Sequence, residues 1–120
     1  MLFRSKPWLL HLSYIKPHWP YMAPVPYHDM FGPEHFLPVN RSPEEQDKVH
    51  PVYRAFMEMG VSQTFSEPGV RETVLPAYMG LIRQIDDHLG RLFAALEERD
   101  LMDNTMIVFT SDHGDYLGDH

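Results

Sequence analysis

The sequence contains no cysteine. Disulfides and thiolate metal sites are thereby excluded, and the redox compartment is left open. No apolar run approaches the roughly 20 residues of a membrane span, so a membrane is not an expected partner. Residues 1–7 have neither the length nor the apolar centre of a secretory leader, which favours the cytoplasm for this stretch. Basic residues are scarce: ten Lys and Arg stand against seventeen Asp and Glu, for a net charge of −7. That balance argues against nonspecific binding to nucleic acid. There is no P-loop, dinucleotide fingerprint, nucleophile elbow or paired-histidine zinc helix, and no internal repeat or low-complexity tract. The series Asp112, Asp115, Asp119 does not fit a calcium-binding helix-loop-helix, which needs a different spacing and a terminal Glu.

What is present is an apolar content of 43% over 120 residues, enough for one ordinary domain core and too much for a disordered chain. The eleven prolines lie mostly before Pro76, so the front of the chain reads as loop-rich and the back as regular. Residues 7–14 read as a strand, since Trp8, Leu9, Leu10 and Leu12 make it nearly continuous in hydrophobicity, as suits burial on both faces. His11 within it reads as a core or edge histidine. Residues 106–109, Met-Ile-Val-Phe, read as a second buried strand.

Between them lies a long helical pattern over residues 73–99. At about 100° per residue, Val74, Leu81, Ile85, Leu89, Leu92 and Leu96 fall within about 60° of one direction. Arg83, Asp87 and Arg91 point away, and Asp87 with Arg91 forms an i,i+4 pair. Thr73 is placed to cap the start, with Pro76 in the first turn. The run Asp86-Asp87-His88 spreads around the helix and cannot converge on one ion, so it reads as a polar flank. Ahead of this helix, Ser42, Pro43 and Glu45 predict a capping box opening a short helix to about His50, and residues 52–59 predict another. Strand, helix and strand make a parallel crossover, which places both strand ends on the same sheet edge. The fold class is therefore α/β.

Ligands in open α/β sheets sit at the carboxyl ends of strands. Ser111, Asp112 and His113 stand where the last strand should end, and Gly114 allows a sharp turn. A carboxylate beside an imidazole suits a divalent metal; the alternative is a solvated loop whose Asp caps a turn. His18 follows the first strand in a segment stiffened by Pro17, Pro20, Pro24 and Pro26. It either works at the crevice facing Asp112 and His113 or packs the loop. Arg41 or Arg54 could receive a substrate anion, or be solvated. His28, His35 and His50 show no metal-ligand spacing.

The run SDHGDYLGDH (111–120) resembles the signature of sulfatases and phosphonate monoester hydrolases in the alkaline phosphatase superfamily, and LSYIKPHWPY (12–21) resembles a second motif of that group. The motifs lie in the right order, with the matching helix between them. The resemblance implies a piece of a three-layer αβα sandwich, containing a β-loop-α-β crossover, within a partial catalytic domain over 1–120. It further implies hydrolysis of small anionic sulfate, phosphonate or phosphate esters by the parent protein. By the same resemblance Asp112 and His113 bind a divalent metal (Mn, Ca or Zn), His18 contacts the transferring group, and Asp115 and Asp119 support the loop. Residues 27–69 would shape the substrate entrance. The nucleophile, a formylglycine or threonine in that family, is not recognisable here and is expected upstream, so the isolated chain is expected to be inactive. A non-catalytic fragment and a small metal module using Asp112, His113 and a loop histidine are the alternatives. Open strand edges favour self-association into a homo-oligomer.

Overall fold

The computed structural model describes residues 6–120. Its helices are α1 (Pro43–Asp47), α2 (Pro51–Met57), α3 (Gly60–Thr64) and α4 (Val70–Glu97), with single 3-10 turns at Tyr27–Asp29, Pro33–His35 and Met102–Asn104. Among the described residues there is no strand. This corrects the two expected strands: residues 7–14 and 106–109 carry the composition of strands but form no hydrogen-bonded ladder. A strand is a property of a pair, and among the described residues neither run is paired in a ladder. Their side chains are correspondingly bare, with Leu9 at 93% and Phe109 at 77% exposure. His11 is exposed as well, so it is not a core histidine.

The organising element is α4, whose 28 residues run about 42 Å at 1.5 Å per residue. It begins three residues earlier than the sequence suggests. Gly69 adopts φ 80, a left-handed conformation that glycine takes without strain, and Val70 opens the helix. Thr73 is therefore inside the first turns and not the cap; its hydroxyl donates to the Gly69 carbonyl at 2.7 Å. Pro76 sits in the helix interior, not the first turn. At the other end Asp100 takes φ 53, and the Leu101 amide reaches back to the Leu96 carbonyl at 2.9 Å, closing the helix.

The apolar stripe of α4 is only partly covered. Leu81 is fully buried, at 1% exposure, whereas Ile82 is 47% exposed. The cover comes from the proline-rich segment. Tyr21 meets Tyr78 edge-on at 5.9 Å, Tyr14 meets His88 at 6.0 Å, and the turn at Tyr27–Asp29 packs on the middle of the helix. Asp87 does not point away from the fold. It accepts from the Tyr27 hydroxyl at 3.0 Å and pairs with Arg83 at 2.8 Å, not with Arg91. The Tyr27 phenol is held above its usual pKa by this hydrogen bond to Asp87. The accessible surface, 9915 Å², exceeds the roughly 6,700 Å² expected for a closed globule of 14.1 kDa. Apolar surface is therefore left for something else to cover.

At Gly80 helix and loop approach closely. A methyl group there would lie 2.1 Å from the Tyr27 carbonyl oxygen and 2.9 Å from its carbon. Backbone cannot yield as a side-chain tip can. Gly80→Ala is expected to destabilise the fold by about 1–3 kcal/mol of overpacking, outweighing the ~1 kcal/mol of helix propensity gained. A lower urea midpoint would show this; a raised midpoint would refute it.

Candidate functional site

His18 and His113 come together at the ends of the two extended runs. Their ring centroids are 6.0 Å apart, at an interplanar angle of 67°. The crossover argument thus gives the right neighbours even without a ladder, because α4 is long enough to return the chain to the side it left. His18 is carried by a turn in which its amide donates to the Ile15 carbonyl at 3.1 Å. The Lys16 ammonium closes the turn, donating to the His18 carbonyl at 3.3 Å and also to the Pro20 carbonyl.

Both imidazoles are oriented alike. The Nδ1–H of His18 donates to the Trp19 carbonyl at 2.7 Å, and that of His113 to the Gly114 carbonyl at 3.1 Å. In the neutral ring each Nε2 is then the nitrogen left with a lone pair. Asp112 turns one carboxylate oxygen back to accept from the His113 amide at 3.0 Å; the other lies 3.9 Å from His113 Nε2. With metal–ligand bonds of about 2.0–2.2 Å, two ligands of one ion stand roughly 3–3.5 Å apart. The pair therefore fits a shared cation after a small side-chain adjustment. The Asp112 carboxylate is 91% exposed. The bond to the Gly114 carbonyl, and then the Asp112 charge, raise the pKa of His113 above that of a free imidazole. Among the described residues no three potential ligands converge on one point.

Asp115 lies close enough to the Tyr21–Tyr78 pair for its charge to act on both phenols. Burial first, and then the Asp115 charge, hold both phenols above their usual pKa, so both remain protonated. The Ser111 hydroxyl is spent on the His113 carbonyl.

Most of the other sequence candidates have structural employment. Arg41 donates to the Gly118 carbonyl at 2.7 Å, and Arg54 is exposed on α2. His50 caps α2 by accepting from the Val52 amide at 3.3 Å, and His35 accepts from the Gly32 amide at 3.1 Å. The predicted capping box does not form. Ser42 makes no side-chain capping bond, and the Glu45 carboxylate instead accepts from His120 Nδ1 at 3.2 Å.

That last contact belongs to an arrangement the sequence reading missed. Residues 116–120 hook back onto residues 37–45 and the base of α4. The Asp119 carboxylate accepts from the Asn40 amide at 3.1 Å and faces the Arg71 guanidinium at 3.7 Å. The His120 amide donates to the Asn40 carbonyl at 2.8 Å, and the Asn40 side-chain amide meets His120 Nε2 at 3.2 Å. Arg71 also donates to the Leu37 carbonyl at 3.1 Å, while its buried Nε has no partner. Leu117, 7% exposed, is the hook's apolar anchor. An open cavity of about 420 Å³ beside it is lined by Val39, Arg41, Phe65, Arg71 and Gly118 among others, and by none of His18, Asp112 and His113.

Comparison with known proteins gives this geometry its context. The family model described as Sulfatase matches residues 3–120. The chain is 39% identical to the multifunctional alkaline phosphatase superfamily protein PehA of Trinickia caryophylli, over 97% of this chain and 25% of that protein. It is 34% identical to an arylsulfatase of Clostridium perfringens, over 97% of this chain and 24% of the relative. With a choline-sulfatase of Rhizobium meliloti the identity is 36%, over 95% of this chain and 22% of the relative. The chain thus spans about a quarter of the length of these curated relatives.

Proposed function

Since the chain belongs to the sulfatase family, we propose that the protein carrying it hydrolyses sulfate esters or phosphonate and phosphate esters with the help of a divalent metal, and that Asp112, His113 and His18 serve that reaction. The observation that carries the reading is the meeting of His18 with the Asp112–His113 pair at 6.0 Å between the rings, in a chain matched by the family over nearly its whole length. The family implies an alkaline-phosphatase-like α/β fold, in which residues 7–14 and 106–109 would become strands once paired.

In this reading Asp112 and His113 supply two ligands, one oxygen and one nitrogen, and the remainder come from outside these residues. The ion, Mn, Ca or Zn, would supply positive charge to the transferring group and its attacking oxygen. His18 binds the small anionic ester through Nε2: with Nδ1 already committed to the Trp19 carbonyl, a proton on Nε2 is aimed outward, toward a substrate oxygen. Protonated, the ring offsets anionic charge; on giving up that proton it assists the leaving oxygen. The exposed apolar runs favour self-association until they are covered.

The test is hydrolysis by the purified full-length protein of an aryl sulfate, an aryl phosphonate and a phosphodiester, with Mn²⁺, Zn²⁺ or Ca²⁺ present. Turnover of at least one is expected, abolished by chelation and by Asp112→Ala. Turnover indifferent to both would remove the metal and Asp112 from the mechanism.

A further inference from the structure

The loop bearing Asp112 and His113 is held mainly from one side. Its own hydrogen bonds are local: His113 amide to Asp112, His113 Nδ1 to Gly114, and Ser111 hydroxyl to the His113 carbonyl. Upstream, residues 106–110 have no ladder to fix them. Downstream lies the hook, which crosses to partners 75 to 80 positions away. Gly118 makes this possible. It takes φ 97, and an added methyl would press on the Arg71 stem at 3.3 Å. The chain therefore rides directly over the arginine that Asp119 faces.

We infer that Asp119 is a positioning residue: by holding the Asn40 amide against the Arg71 guanidinium it fixes the hook, and through the hook the placement of Asp112 and His113 opposite His18. Asp119 is five residues from Gly114 and touches neither imidazole, so it acts only through the backbone between them. The carboxylate suits the post because it accepts from a neutral amide and offsets a largely buried cation at once, where an amide side chain would do only the first. The consequence for catalysis rests on the reading of Asp112 and His113 as metal ligands; the structural half does not.

The experiment uses the full-length protein with histidine rings isotopically labelled, first without metal. The His18–His113 ring contact is expected as a nuclear Overhauser effect in the wild type, lost in Asp119→Ala and partly retained in Asp119→Asn. Leu96→Ala, at the far end of α4, controls for lost stability and should retain the contact. Mn²⁺ alone is then titrated in, and Asp119→Ala is expected to bind it about 10–100-fold more weakly, the usual cost of removing a residue that orients a ligand. An Asp119→Ala protein that melts earlier yet keeps both the ring contact and its Mn²⁺ affinity overturns the inference. If that variant does not fold, Gly118→Ala decides: loss of the ring contact supports the inference and its retention refutes it. A wild type that shows the contact but binds no metal sinks the functional reading, and the ring contact alone then judges the role of Asp119.

Discussion

Replacing His18 by alanine in the full-length protein is expected to lower kcat by about 10²–10⁴-fold, the usual contribution of a positioned acid–base group, while metal content stays near wild type. The asymmetry follows from geometry. His18 stands beside His113, but the two rings and Asp112 do not converge on one point. The side chain also carries little structural duty, because its hydrogen bond goes to the carbonyl of its own neighbour. Removing it should therefore disturb the reaction more than the fold. Parallel measurement of kcat and of bound metal checks this. Unchanged kcat on both sulfate and phosphonate esters would end the assignment, and metal lost in proportion to activity would make His18 a ligand instead.

The second large effect concerns these 120 residues in isolation: no ester turnover and only weak metal binding. In the proposed reading this chain supplies two ligands, Asp112 and His113, where a tight site takes three or four. The hydroxyl next to them, that of Ser111, is committed as a donor to the His113 carbonyl. The small-module reading needed a loop histidine to complete the ligand set, and none is in place among the described residues. Calorimetry with Mn²⁺, Zn²⁺ and Ca²⁺, and assays on aryl sulfate and aryl phosphonate, provide the check. Submicromolar affinity lost in His113→Ala would revive the module. Metal-dependent turnover lost in Asp112→Ala would require a nucleophile within the chain.

How much of this was legible in the sequence depends on how local the cause was. The long helix was legible because an apolar repeat of 3.6 residues reports on itself. Its start was not: Thr73 and Pro76 imitate a cap and a first-turn proline, while the real determinant is Gly69 taking φ 80. Asp87 was misread because the wheel shows which way a side chain points but not that Tyr27 reaches over to meet it. α3 had no signal beyond its neighbours. The strands were read from composition, and composition does not supply a pairing partner. His18 and His113 were brought together correctly by connectivity alone. The hook was invisible because Asn40 and Asp119 are 79 positions apart. The signals that could have pointed to it were a second Asp-His pair, Asp119-His120, directly after Gly118, and the matching Asn40-Arg41 ahead of α1.

That separation also sets an order in time. A turn of α4 closes over four residues, whereas the hook closes over 79 or 80. Loop closure of that length costs roughly 2–3 kcal/mol more in chain entropy, so the helix precedes the hook in folding. At about 5–20 residues per second on the ribosome, Asn40 waits about 4–16 s for its partners to be made. By that entropy the hook, and with it the setting of the loop that carries Asp112 and His113, is expected to form on a helix already in place.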